Sequence, residues 1–222
     1  MPAAALDASR AAQQRMAFVL SLRERGISDV AVLRALETIP REIFVPHHFA
    51  DLAWRDIALP IACGQTMPQP FLVARMMMAL ELEPGMRVCE VGTGSGYAAA
   101  ILSRLAGEVY SCERFRSLAR AAQERFEAIG AGNVTARWAD GLDLSGEAGV
   151  FDRVLVQASI GDVPRTLITA LRPGGLVMFP RLERGGQPAG FYSLRRTGSG
   201  VIEDFLFAGR FAAAISGRSR EL

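Results

Sequence analysis

One glycine-rich turn and three acidic residues carry the chemistry that this sequence suggests. The turn reads Glu90-Val91-Gly92-Thr93-Gly94-Ser95-Gly96 and joins an apolar run to a helical pattern. Glycines there let the chain turn sharply and let a ligand approach the backbone with no Cβ in the way. A dinucleotide-binding turn has the spacing G-x-G-x-x-G. Here the spacing is G-x-G-x-G, and Glu90 stands two positions ahead of the first glycine. That charge repels a pyrophosphate and suits the ammonium of an aminoacyl ligand. Glu113 closes the next apolar run, where acids accept hydrogen bonds from ribose hydroxyls. Asp140 follows the third run, beside Gly141, where a carboxylate meets the exocyclic amine of adenine. Alone, Glu113 or Asp140 reads as an ordinary strand-end cap. In register with the turn, the acids outline a pocket for S-adenosylmethionine, walled by Gly92, Thr93, Gly94, Ser95, Gly96 and Gly141.

Such a pocket needs strands that end along one edge, and the patterning supplies them. Apolar strands are expected at 86–91, 108–113, 134–139, 151–157 and 175–180. Helical patterns fall between them at 96–105, 117–129 and 164–171. Strand–helix alternation at this spacing means βαβ units and a mainly parallel, doubly wound α/β sheet. Residues 191–195 and 202–207 alternate like two antiparallel edge strands. Ahead of the sheet, helices are expected at 11–25, at 30–38 with Asp29 as N-cap, and at 69–82. Pro40, Pro46 and Pro60 leave 41–66 mostly loop with short elements. We read residues 1–222 as one domain, with 1–82 a helical, substrate-cleft region and 83–222 the cofactor-binding core. The ligand is expected at the carboxyl ends of the strands.

Composition narrows the class. Half of the 222 residues are hydrophobic and 22% are charged, which is globular usage. The 25 basic residues are all arginine, against 23 acids, for a net charge of +2. No basic stripe with interleaved aromatics stands out, so no nucleic-acid partner is expected. Cys63, Cys89 and Cys112 form no metal-ligand spacing, so no metal site is expected. No apolar run reaches a membrane-spanning length, and the N-terminus lacks a signal-peptide core. We expect a cytoplasmic protein with no membrane partner.

Several longer stretches resemble one family, the protein-L-isoaspartate O-methyltransferases. They are Pro40-Arg-Glu-Ile-Phe-Val-Pro46, Ala58-Leu-Pro60-Ile61, Gly64-Gln65-Thr66 and Gln69-Pro70-Phe-Leu-Val-Ala-Arg75-Met76. The glycine turn, Glu113-Arg114, Asp140-Gly141, Phe151-Asp152-Arg153 and Leu171-Arg-Pro-Gly-Gly175 continue the likeness. The resemblance implies methyl transfer from S-adenosylmethionine to the carboxylate of isoaspartyl residues in damaged proteins. It also implies that Gln65 and Thr66 line the methyl-transfer cleft as the catalytic pair.

The chain departs from that family at three places. Pro68 stands where the family carries a serine. Gln157-Ala-Ser159-Ile-Gly161 replaces a Thr-Ala-Ala-like run, and Gln157 or Ser159 is a candidate replacement donor. The segment from Gly209 lacks a Val-Pro-Leu-like ending. Two alternatives stay open: a diverged methyltransferase with another acceptor, and a non-catalytic cofactor-binding protein. His47, His48, Met76, Met77, Met78 and Cys63 read as packing or surface residues. Trp54 and Asp56 shape the cleft or anchor it, and Arg116 and Arg120 read as a solvated helix face.

Overall fold

The computed structural model describes residues 2–147 and 149–219. The N-terminal part holds α1 (Pro2–Glu24) and α2 (Val30–Thr38). The Ala-rich start extends α1 well ahead of the expected residue 11, as alanine propensity favours. Asp29 caps α2 as expected, accepting from the Val32 N–H at 3.0 Å. Two 3₁₀ turns follow, Arg41–Phe44 and His47–Leu52. Then comes a two-residue hairpin, β1 (Leu59–Pro60) and β2 (Thr66–Met67), and α3 (Pro70–Ala79).

The alternating part runs β3 (Arg87–Val91), α4 (Tyr97–Leu102), β4 (Glu108–Glu113), α5 (Arg116–Ala128) and β5 (Val134–Trp138). It continues with β6 (Phe151–Val156), α6 (Arg165–Ala170), β7 (Leu171–Arg181), β8 (Gly190–Thr197) and β9 (Gly200–Ala208). The large sheet has the order β5-β4-β3-β6-β7-β8-β9. Strands β3 to β7 pair in parallel, and β8 and β9 add antiparallel, as the alternation of the tail foretold. The chain starts β7 at Leu171 rather than 175, because Leu171 already pairs with Phe151 across an irregular register. The order reverses between β3 and β6, so a crevice opens at their carboxyl ends.

Successive side chains of each strand feed opposite faces of the sheet. Val88 and Leu155 pack on the side of the N-terminal helices. Cys89, Val91, Val154 and Val156 pack on the other side with Leu167 and Ala170 of α6. Leu118, Ala119, Ala122 and Phe126 form the buried stripe of α5, with Ala122 four residues after Leu118 and Phe126 four after Ala122 on the same face. The Phe151-Asp152-Arg153 stretch is a fastener. Arg153 is buried and donates to the carbonyls of Leu80 and Glu81, which tie the end of α3 to β6.

Candidate functional site

A cleft of about 820 Å3 lies at the carboxyl ends of β3, β4 and β6. Gly92, Thr93, Gly94, Ser95, Glu113, Asp140 and Gly141 line it, and so do Gln65 and Thr66. Glu90 and Gly96 do not reach its wall. Gly96 works by packing: its φ is +92°, and a Cβ there would sit 2.9 Å from Phe126 Cε1. Gly141 has a similar second role, since a Cβ would come 2.6 Å from Val91 Cγ1.

Glu90 corrects the expectation of an ammonium partner at the cleft surface. Its side chain is wholly buried, one layer behind the glycine turn. The Ser111 hydroxyl donates to one carboxyl oxygen, and Gln157 Nε2 donates to the other at 2.6 Å. Gln157 also reaches the Gly92 carbonyl at 3.3 Å, and Ser111 Oγ lies 2.5 Å from Thr93 Oγ1. Burial pushes the Glu90 carboxyl up to about 8, against the opposing pull of the Ser111 hydrogen bond. The nearby Glu113 charge adds to the rise. Glu90 thus braces the turn through Ser111, Thr93 and Gln157.

Glu113 and Asp140 do face the cleft. Glu113 accepts from the Gly94 N–H at 2.8 Å and the Phe115 N–H at 2.9 Å. Burial raises its carboxyl above the usual range, and these two N–H bonds oppose the shift. Asp140 accepts from the Leu142 N–H at 3.0 Å and from the Gly217 N–H at 2.6 Å. Each carboxylate keeps lone pairs for further donors.

The Gly217 contact shows what the tail does. After β9 the chain crosses the strand ends as a strap. Ser159 pairs with it through Ser159 N to Ala212 O at 2.7 Å and Ala214 N to Ser159 O at 2.8 Å. Ser159 Oγ donates to the Phe211 carbonyl at 2.9 Å. Arg114 holds the far end, donating to Gly217 O at 3.3 Å and accepting from the Ser219 N–H at 2.8 Å. The donors of Gln157 and Ser159 are therefore engaged, which corrects the expectation that either replaces a missing donor at Pro68.

The Gln65–Thr66 segment owes its position to the β1–β2 hairpin. Leu59 pairs with Met67 and Pro60 with Thr66. Cys63 and Gly64 both have positive φ, +58° and +64°, the pattern of a type I′ hairpin turn. Gln65 Nε2 donates to the Cys63 carbonyl at 3.0 Å, which locks the turn. Thr66 is exposed into the cleft.

Two residues that fix this geometry, Arg41 and Arg125, carry no local sequence signal. Arg41 is fully buried, and its guanidinium donates to the carbonyls of Ala53, Arg55, Ile57 and Pro68. It therefore shapes the loop beneath the cleft, and burial lowers its pKa. Arg125 donates to Ile43 O at 2.9 Å and Ser95 O at 3.0 Å, joining α5 to the glycine turn. Asp56 anchors rather than lines the cleft: it accepts from Phe71 N at 2.8 Å and pairs with Arg25. Trp54 likewise anchors, edge-on to Phe18 of α1 at 5.4 Å.

The remaining residues take the bland roles expected. His47 and His48 are exposed and away from the cleft, and Met76 and Met77 are core. Cys63 is half-buried with Ser117 Oγ 3.5 Å away. Arg120 pairs with Glu124 on the solvated face of α5. Among the described residues no acidic, Cys and His cluster could hold a metal, and no helix is long and apolar enough to cross a membrane.

Comparison with known proteins gives a consistent picture. A family model described as Protein-L-isoaspartate(D-aspartate) O-methyltransferase matches residues 13–216. A protein-L-isoaspartate O-methyltransferase of Rhodopseudomonas palustris (strain BisA53) is 47% identical over 94% of this chain and 97% of its own. One from Nitrobacter winogradskyi is 47% identical over 94% and 96%. A solved protein-L-isoaspartate O-methyltransferase matches with a TM-score of 0.80 and 28% identity, over 91% of this chain and 66% of its own. A Plasmodium falciparum structure in complex with S-adenosyl-L-homocysteine shares the fold, with a TM-score of 0.77 and 23% identity over 89% and 96%. With the model covering nearly the whole chain and relatives at this identity, the chain belongs to the protein-L-isoaspartate(D-aspartate) O-methyltransferase family.

Proposed function

We propose that this chain transfers the methyl group of S-adenosylmethionine to the carboxylate of an isoaspartyl residue in a protein or peptide. The observation that carries the reading is one cleft holding two groups of residues. The glycine turn, Glu113 and Asp140 line it, and so does Thr66 on its hairpin. The acceptor set fits the cofactor: one carboxylate ends β4 and another follows the adjacent β5, and each keeps lone pairs for hydroxyl or amine donors. We assign Glu113 to the ribose hydroxyls and Asp140 to the adenine amine, with Gly92, Thr93, Gly94, Ser95 and Gly141 as the backbone wall. When bound, S-adenosylmethionine supplies an electrophilic methyl group on a sulfonium.

The residues present suit an acceptor that needs no base. A carboxylate is already ionised at neutral pH. Neither histidine lines the cleft, and the two carboxylates that do are engaged with backbone N–H groups. Rate then comes from holding the acceptor in line and stripping its water. The Thr66 hydroxyl orients the acceptor carboxylate, and Gln65 keeps the hairpin in register. The strap from Gly209 to Ser219 shields the cleft from solvent. The ester formed closes to a succinimide with loss of methanol, and hydrolysis of the ring returns part of it to normal aspartate.

The test is transfer of labelled methyl to an isoaspartyl peptide beside the same peptide with normal aspartate. Label on the isoaspartyl form alone supports the proposal; label on neither, with cofactor bound, sinks it. Pro68 favours a second reading, in which the same cleft takes a different carboxylate acceptor. That reading predicts an inactive wild type and a gain of isoaspartyl activity in Pro68→Ser.

A further inference from the structure

Arginines line the cleft from several elements, and their partners differ. Arg25 is committed to Asp56, and Arg114 to the Gly217 carbonyl. Arg75, which lines the cleft from α3 with Phe71 and Leu72, is different. Its guanidinium lies 3.9 Å from the centre of the Phe207 ring and 6.0 Å from that of Phe71. The close Phe207 contact engages the cation without using its N–H donors, while Arg25 lies nearer the Phe71 ring at 3.6 Å. Among the described residues Arg75 has no hydrogen bond and no ion pair. Arg210, from the start of the strap and three residues past Phe207, lines the same cleft and is likewise unpaired among them.

A cation here has one productive use. The reacting carboxylate loses its charge as the methyl group arrives. A guanidinium against it would stabilise the ground state more than the transition state and slow the step. A charge that persists through the reaction carries no such penalty. We propose that Arg75 binds a second, non-reacting carboxylate of the acceptor, so that the enzyme prefers isoaspartyl sites with an acidic neighbouring residue. This rests on the function proposed above. The planar fork of Arg75 suits a bidentate carboxylate, and its contact with the Phe207 ring restricts it before the acceptor arrives. Arg210 adds charge at the mouth and draws acidic segments in.

The experiment compares two isoaspartyl peptides that differ only in Glu or Gln beside the isoaspartyl residue. The full chain is assayed as wild type, Arg75→Gln and Arg75→Lys. Wild type should favour the Glu peptide by about tenfold in kcat/KM, the scale of one charge-assisted contact, and through KM rather than kcat. Arg75→Gln should bring that ratio close to one, with kcat on the Gln peptide and the Kd of S-adenosyl-L-homocysteine unchanged. Arg75→Lys should recover part of the preference, because it restores charge without the fork. The preference of the wild type should also shrink in high salt, a readout independent of whether any variant folds. Equal kcat/KM for the two peptides in wild type overturns the inference and leaves the proposed function standing. So does an equal loss on both peptides in Arg75→Gln. Methylation of neither peptide contradicts the proposed function and this inference with it.

Discussion

Replacing Glu90 by Gln should make the protein more stable, and increasingly so as pH rises from 5 to 8. Glu90 is wholly buried, and its carboxyl is raised from the ordinary 4.5 to about 8. Between those values the folded chain keeps a proton that the unfolded chain releases. Stability from this group is therefore fully present below 4.5 and is lost as pH rises toward 8. The loss runs at about 1.4 kcal/mol per pH unit and reaches roughly 5 kcal/mol across the window. Gln mimics the neutral acid. Its carbonyl accepts from Gln157 and its amide donates to Ser111, whose hydroxyl then turns to Thr93. Urea unfolding of both proteins at pH 5, 6, 7 and 8 isolates the effect, because every other titrating group cancels in the difference. The gap should widen in favour of Glu90→Gln with each unit and level off above 8. A difference that stays constant from pH 5 to 8 would show Glu90 ionised throughout and refute the reasoning.

Three further outcomes follow from the packing and the cleft. Gly141→Ala should destabilise the fold by about 1–3 kcal/mol in urea unfolding, since its methyl would drive into Val91 and Cys112. Asp140→Ala should weaken S-adenosyl-L-homocysteine binding by about tenfold in calorimetry, the scale of one hydrogen bond to a charged group. It should also speed proteolysis of the strap, which loses its anchor at Gly217. Thr66→Val should lower kcat/KM on an isoaspartyl peptide by about tenfold with cofactor affinity unchanged, because the proposed function gives that hydroxyl the acceptor carboxylate to orient.

The parallel sheet was legible because its signals are local: apolar runs of strand length, helical spacing between them, and a G-x-G-x-G turn at the first junction. The N-cap at Asp29 and the antiparallel β8–β9 pair were legible for the same reason. The brace around Glu90 was not, because its partners arrive from β4 and from beyond β6. Only the sheet register sets Ser111 beside Glu90. Arg41 was hidden by its type, since an arginine in a proline-rich loop reads as solvated until four carbonyls converge on it. The strap was hidden because Ala212 to Ala214 carry no pattern, and their pairing with Ser159 spans more than fifty residues.

The most direct test of the central claim follows the peptide rather than the label. An isoaspartyl peptide is incubated with the chain and S-adenosylmethionine, and its isoaspartyl, succinimidyl and aspartyl forms are resolved by chromatography. The account predicts that the isoaspartyl form declines, that the succinimide rises and falls, and that normal aspartyl peptide accumulates as S-adenosyl-L-homocysteine is released. An isoaspartyl peptide left unchanged by protein with saturated cofactor would contradict it.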